Sequence, residues 1–186
     1  ATIGALGHLA SFRWTANDAY AVILRIRAGW SISGAVTTAV EMNLRAVLAH
    51  AFSVDFTTAA TAANMIVPPK AGAMSSNMGS SLLGVTGPRI AATAVQSGQT
   101  LTADTNGFAS AVWAARYPTN STGVAVAQAV GDAGEMKTLY ECTSPYQHPV
   151  VLGVNEGVII QPITAGPATG TFAIYVDWEW AEVEVF

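Results

Sequence analysis

Apolar and polar residues alternate along residues 171–180, and this alternation constrains the fold more than any other feature of the sequence. One parity is apolar throughout, while the other includes Tyr175, Asp177 and Glu179. Because successive side chains of a β-strand point to opposite faces of a sheet, the pattern predicts a half-buried strand. Its predicted core face consists of Phe172, Ile174, Val176, Trp178 and Trp180.

The apolar parity changes after Trp180. Ala181 and Val183 are now apolar, and the residues between and after them are Glu182 and Glu184. One extra residue in a strand produces this change of phase. We therefore predict a β-bulge or strand break at Trp180–Glu182.

Two further segments have the same periodicity. Residues 19–32 alternate and are predicted to form a strand. Residues 40–56 fit both a helical stripe and a strand, and the strand pattern fits better. Because seventeen residues would be long for one strand, we expect a bend or interruption near Ala49–Ala51.

Turn-forming residues divide the C-terminal third. Residues 150–163 are predicted to form two short strands around one turn, and a second turn at residues 165–170 precedes the last strand. Residues 136–184 therefore resemble an antiparallel meander, and the turn residues are expected to set its register. These predicted fold determinants are Asn155, Glu156, Gly157, Pro167 and Gly170.

The middle of the chain, residues 57–135, is rich in Ala, Thr, Ser and Gly and is predicted to contain long loops. Short strands are expected at residues 81–85 and 89–95, and residues 107–115 fit a strand or a helical turn. The predicted class is all-β, an antiparallel β-sandwich or jelly-roll-like domain. Residues 1–35 would form an N-terminal arm and first strand, and residues 36–186 the β-sandwich domain; a single domain over residues 1–186 is the alternative.

Charged residues are scarce. The chain has 8 Lys and Arg and 12 Asp and Glu, so 11% of its residues are charged, against about 25% in an ordinary soluble domain. The sequence contains no apolar run long enough for a membrane span. Its net charge of −4 and dispersed basic residues argue against direct nucleic-acid binding. We expect other subunits to cover part of the surface, because interface cores are depleted in charge.

No motif predicts catalysis. His8, His50 and His148 have no metal-ligand spacing, and the motifs of nucleophilic serines are absent from the sequence. The carboxylates of Glu179, Glu182 and Glu184 are interpreted as a solvated strand face. We predict no catalytic residues, no metal, no cofactor and no small-molecule substrate. An enzyme would instead require a deep pocket that joins two of His8, His50, His148, Glu141 and Glu156.

Tryptophans offer a different alternative. Exposed Trp14, Trp30 or Trp113 could bind sugars, which would make the chain a carbohydrate-binding or adhesin β-sandwich. Trp178 and Trp180 continue the apolar parity of their strand and are interpreted as core residues. The single cysteine, Cys142, is interpreted as a small buried hydrophobe.

Several segments are similar to those of a known group of proteins. In the C-terminal half they are residues 148–152, 155–160, 167–171 and 178–182, and upstream they are residues 76–83, 89–93 and 104–105. Together, and in the same order along the chain, these segments resemble those of a group of uncharacterised proteins of tailed bacteriophages and prophages. The resemblance covers roughly residues 36–186.

The resemblance implies a virion structural protein without enzyme activity. The expected role is a capsid decoration or cement protein on the virion surface, assembled in the bacterial host cytoplasm. Its partners would be copies of itself, as a trimer or symmetric cluster, and a major capsid protein. The contacts are expected in residues 57–135 and in an arm formed by residues 1–13. A tail, baseplate or fibre component, or the main capsid subunit, is the alternative.

Overall fold

The computed structural model describes residues 5–32, 41–54, 60–61, 89–91, 98–116, 130–131, 135–144, 147–166 and 172–184. Within these ranges the regular structure is entirely β. The strands are β1 (Ala10–Trp14), β2 (Tyr20–Ile32), β3 (Glu41–Val54), β4 (Ala60–Thr61), β5 (Arg89–Ala91), β6 (Thr100–Ala103), β7 (Ala109–Arg116), β8 (Val130–Gly131), β9 (Lys137–Glu141), β10 (Val150–Leu152), β11 (Glu156–Pro162) and β12 (Phe172–Val183).

The strands form two antiparallel sheets. The larger sheet has the order β4-β5-β1-β11-β3-β7-β8, and β6 pairs with β3 beside β7. The smaller sheet has β2 at its centre, with β12 on one side and both β9 and β10 on the other. The predicted all-β fold of antiparallel sheets is confirmed.

Each sheet contains one long strand flanked by two shorter strands in tandem. Along β3, β7 pairs with residues 41–46 and β6 with residues 49–54. Along β2, β9 pairs with residues 25–28 and β10 with residues 21–23. In both cases the flanking chain leaves the ladder for several residues and then rejoins it. These excursions place exposed loop residues against the middle of a long strand.

The two sheets share one hydrophobic core. Phe12 and Trp14 of β1 are fully buried, and Phe12 contacts Trp178 and Trp180 of β12 with ring centroids 5.5 and 5.3 Å apart. Ile23 and Ile26 of β2 are also fully buried in this core. Fully burying one side chain of this size contributes about 1.5–3 kcal/mol. The sheets therefore pack face to face, as in a β-sandwich.

The larger sheet is also covered on its other face. Ile159 alternates with Val158 and Ile160, so it points away from the shared core, yet it is fully buried. It packs with Ala49 and Phe52 in a second, smaller cluster. Burial on both faces explains the continuous apolar run in β11. Because apolar and polar residues do not alternate there, the sequence does not show which side of the strand faces the shared core.

Three predicted strands are confirmed: β2, β3 and β12. The interruption predicted in β3 is present, because Ala51 has a φ of 50° and the pairing with β6 shifts register between His50 and Val54. The bulge predicted at Trp180–Glu182 lies one position earlier, between Glu179 and Trp180. Residues 107–115 proved to contain a strand, and the predicted strand at residues 81–85 lies outside the described ranges.

The predicted meander over residues 136–184 is wrong. Its strands β9, β10, β11 and β12 do not pair with one another in sequence: β9, β10 and β12 join β2, whereas β11 lies between β1 and β3. The turn before β11 therefore connects the two sheets and sets no hairpin register. The sequence pattern located the strands but contained no information about their distant partners.

Residues 10–14, which form β1, belong to the larger sheet. β1 pairs with β11 on one side and β5 on the other, and Leu9 is buried against the core. Removing residues 1–13 would therefore delete most of a core strand. Interface contacts from the predicted arm would have to come from residues outside β1.

Candidate functional site

The corner at residues 153–156 joins the two sheets and organises the polar groups around it. Asn155 has a left-handed φ of 60°, which asparagine tolerates better than most residues. Its N–H donates to the Trp14 carbonyl at 2.9 Å, and its carbonyl accepts the Phe52 N–H at 2.7 Å. One residue thus links the ends of β1 and β3 to the corner.

Arg13 holds the same corner from β1. Its Nη2 donates to Asn155 Oδ1 at 3.1 Å and to the Ser53 carbonyl at 2.8 Å. The guanidinium also lies 5.7 Å from the centroid of the Phe52 ring, within the range of a cation–π contact. The side chain therefore joins three segments that are distant in sequence.

Gly157 permits the close packing beneath this corner. A Cβ at this position would overlap the carbonyl oxygen of Phe12 and lie 2.8 Å from the Phe52 ring. Glycine is required here by the approach of a neighbouring backbone. The predicted importance of the Asn155–Gly157 segment thus has a geometric basis, although it differs from the hairpin role expected.

A second polar group, the His50 cluster, consists of His50, Asp104 and Glu156. His50 Nε2 lies 3.2 Å from Asp104 Oδ1, and His50 Nδ1 lies 3.4 Å from Glu156 Oε1. The other oxygen of Glu156 accepts the Gly153 N–H at 2.8 Å, which orients the carboxylate. Three segments, β3, the loop after β6 and the start of β11, contribute one side chain each.

The geometry of the His50 cluster favours a structural link over a metal site. The two carboxylates face opposite nitrogens of one imidazole ring, so the three groups do not converge on a point. Across the described ranges, no group of three or more His, Cys, Asp or Glu side chains is arranged to hold a metal ion. The three side chains are between 38% and 48% exposed, so they lie at the rim of the sandwich.

Ion pairs cover the outer face of the smaller sheet. Arg25 contacts Glu179 at 2.6 Å and Glu141 at 3.9 Å, and Arg27 pairs with Asp177 across β2 and β12. The hydrogen bond to Asp177 raises the pKa of Arg27. This face is the solvated side predicted from the alternation of β12.

The basic side chains that the structure describes are all bonded within the chain. Arg45 donates to Gln161 Oε1 at 3.1 Å and to the Thr105 carbonyl at 3.2 Å, and Lys137 donates to the Val112 carbonyl at 3.0 Å. The other three are Arg13, Arg25 and Arg27. This arrangement leaves little described cationic surface for a phosphate backbone.

Apolar side chains are exposed at several separate places on the described surface. They are Leu6, Tyr20, Val54, Val112, Met136, Val154, Ile163 and Tyr175. Some of them are neighbours, since the Leu6 N–H donates to the carbonyl of Pro162, the residue before Ile163. Exposed apolar side chains are common on monomers, and their significance here comes from the low charge content of the chain as a whole.

Two of the three tryptophans considered for sugar binding do not have the required exposure. Trp14 and Trp113 are fully buried, and their indole N–H groups donate to the carbonyls of Ala19 and Glu135. The side chain of Trp30 lies outside the described set. Trp178 and Trp180 pack half-buried against the core, as their parity predicted.

An enzyme site was expected to join at least two of five residues, and of these the structure brings His50 and Glu156 together. His8 accepts a hydrogen bond from Gln99 Nε2 at 3.1 Å, and burial lowers the pKa of its imidazole. His148 and Glu141 are exposed at other places. The contact between His50 and Glu156 lies at the rim, where the two side chains are 48% and 38% exposed.

Not every predicted determinant can be located. Pro167 and Gly170 lie outside the described residues, as does the side chain of Phe172. Conversely, Arg13 and Asp104 were not identified from the sequence. No local pattern indicated the role of either side chain, because their partners lie from 40 to more than 140 positions away.

The fold and its polar groups define an all-β sandwich in which the described basic side chains bind acceptors of the same chain. The described part of the chain has no helix long and apolar enough to cross a membrane. Comparison with protein-family models, curated proteins and solved structures finds no match to this chain.

Proposed function

We propose that this chain is a structural protein of a bacteriophage virion, a decoration or cement protein that stabilises the capsid shell. The observation that carries the proposal is its surface, where exposed apolar side chains accompany few charges. Such surfaces are favourable at subunit interfaces, because little charge must be desolvated there. The resemblance of residues 36–186 to phage proteins supports the same role.

The mechanism would be burial of complementary surface. A standard interface buries about 1,600 Å² in total and needs few ion pairs. Copies of the chain, as a trimer or symmetric cluster, would repeat this contact across the shell. Repetition raises the overall affinity, because later contacts form at high effective concentration.

Binding to shells tests the proposal. The purified chain is mixed with shells assembled from the major capsid protein of the same phage and sedimented. We expect saturable binding at a fixed ratio to the shell subunit. Val112→Glu and Val154→Glu introduce charge at exposed apolar positions, and Asn17→Glu does so at an exposed polar position as a control. At least one apolar variant should lose binding without a change in melting temperature.

Two outcomes would contradict this role. A chain that stays monomeric and never sediments with shells is not a cement protein. Saturable binding to purified tails in place of shells would support the alternative of a tail, baseplate or fibre component. Glycan binding by a monomer would favour an adhesin, although Trp14 and Trp113 are too buried to stack on a sugar.

A further inference from the structure

We propose that Asn106 is a site of spontaneous covalent modification in the folded protein, where its side chain cyclises onto the Gly107 nitrogen and is converted to aspartate or isoaspartate. The proposal concerns the loop between β6 and β7. It does not depend on the proposed function. Its basis is that Asn106 and Gly107 lie outside the hydrogen-bond ladder of the larger sheet.

The ladder beside β3 is interrupted at this point. Asp104 N–H donates to the Leu48 carbonyl and Phe108 N–H to the Ala46 carbonyl, both at 2.9 Å. The two acceptors are two positions apart on β3, whereas the two donors are four positions apart. Two extra residues are therefore pushed out of the sheet, and Asn106 and Gly107 are both exposed in this excursion.

The attacking group is available. Gly107 N–H donates to no carbonyl among the described residues, and the Asn106 side chain has no hydrogen-bond partner among them. Cyclisation requires the backbone nitrogen to approach the side-chain carbon of the preceding asparagine. A following glycine leaves this approach unobstructed, since it has no Cβ and the widest range of backbone angles.

The packing of the sheet explains why a glycine follows Asn106. A Cβ at Gly107 would lie 3.0 Å from the Ala46 carbonyl oxygen and 3.1 Å from Arg45 Cβ. Both distances are shorter than ordinary van der Waals contact, so a larger residue would push the excursion away from β3. The same close approach that favours glycine thus leaves Asn106 reactive.

The reaction needs only water. The Gly107 nitrogen attacks Cγ of Asn106 and loses its proton to solvent; the new N–Cγ bond closes a succinimide ring, and the side-chain nitrogen leaves as ammonia. Water then opens either carbonyl of the ring. One opening yields aspartate, and the other yields isoaspartate, in which the main chain runs through the former side chain. Either product adds one negative charge.

The modification would act on neighbouring contacts. Thr105, the residue before Asn106, accepts a hydrogen bond from Arg45, and Asp104 contacts His50. A carboxylate at position 106 competes for the Arg45 guanidinium, and isoaspartate adds a backbone atom between these contacts. The core strands are unaffected, because residues 105–107 make no ladder pairs.

The test follows the intact, folded chain during prolonged incubation in mildly alkaline buffer. Peptide mapping measures the mass gain of an amide-to-acid exchange at each asparagine, and an isoaspartyl methyltransferase detects isoaspartate. Asn17, Asn43 and Asn155 are internal comparators that do not precede glycine. The exposed variant Asn106→Gln, whose cyclisation needs a larger ring, is the matched control.

We expect Asn106 to convert before the three comparators, with an acidic shift in isoelectric focusing that Asn106→Gln lacks. A second sample, unfolded in urea, measures the rate without the fold. Conversion in the folded chain at a rate similar to that in urea supports the proposal. If Asn106 remains intact in the folded chain while the unfolded chain converts, the fold protects the site and the proposal is wrong.

Discussion

The N–H of Phe52 donates to the carbonyl of Asn155 at 2.7 Å and connects β3 to the corner between the sheets. The two residues are more than 100 positions apart, and the turn chemistry of Asn155 does not indicate Phe52 as its partner. Arg13 strengthens this connection by bonding to Asn155 Oδ1. Asn155 thus combines a left-handed backbone with three hydrogen bonds. Substitutions can separate the role of its backbone conformation from that of its side-chain acceptor for Arg13.

Substitutions of Asn155 should differ according to which role they remove. Asn155→Gly loses only the acceptor for Arg13, a cost of about 1–2 kcal/mol. Asn155→Ala loses the same acceptor and adds about 1–2 kcal/mol for a left-handed residue with a Cβ. Urea unfolding of both variants measures the difference. Equal destabilisation would show that the left-handed backbone is not under strain.

Gly157 should tolerate no side chain. Gly157→Ala places a methyl group against the Phe12 carbonyl and the Phe52 ring, and we expect a loss of about 3 kcal/mol or failure to fold. Gly153→Ala is the matched control, because its Cβ would lie 3.4 Å from Glu156 Oε2 and 3.7 Å from the Tyr20 ring. That variant should melt near the wild-type temperature. Similar melting of both variants would contradict the close packing at Gly157.

Acidification should destabilise the fold through His8. Burial lowers the pKa of His8 below its ordinary value of 6.5, so the unfolded chain binds a proton more readily than the folded chain. Stability from this group is therefore complete above the unfolded pKa and declines as the pH falls below it. The bond from Gln99 adds to this preference, since it requires an unprotonated Nδ1.

The measurement compares unfolding free energies at neutral and mildly acidic pH. We expect a smaller difference in His8→Gln than in the wild type, because this variant cannot take up the proton. His148→Gln, at an exposed position, is the control and should keep the wild-type difference. An unchanged difference in His8→Gln would show that His8 does not contribute to the pH dependence.

The pair of Arg25 and Glu179 should contribute little to stability despite its short distance of 2.6 Å. Their side chains are 35% and 50% exposed, so solvent screens the attraction. A double-mutant cycle with Arg25→Gln and Glu179→Gln should give a coupling of about 0.2–1 kcal/mol. The coupling should decrease at high salt. A coupling well above this range that salt does not reduce would contradict the screened geometry.

Sequence periodicity predicted the strands that have one buried face. β12 and β2 were identified because they alternate, and the interruption near Ala51 followed from the length of β3 alone. β11 was located without a face, since it is buried on both sides. The partners of β11 were not predicted, because hydrophobic burial is non-directional and does not select which other strands a buried strand pairs with.

For the polar groups too, the sequence identified individual residues, whereas their contacts became known only from the tertiary structure. Asn155 and Gly157 were selected for their turn chemistry, which is a local property. The contacts that define their roles come from Arg13, Phe12 and Phe52, which are distant in sequence. The His50 cluster likewise required β3, the loop after β6 and the start of β11 to meet, and no spacing in the sequence encodes that meeting.

The sequence by itself determined the all-β class, the long alternating strands β2 and β12 and the scarcity of charge, because these depend on residue types and on a backbone period of two. Only the tertiary structure decided that β10 and β11 lie in different sheets and that Asn106 lies outside the ladder. Pairing joins residues far apart along the chain, so its outcome depends on how all the strands pack together.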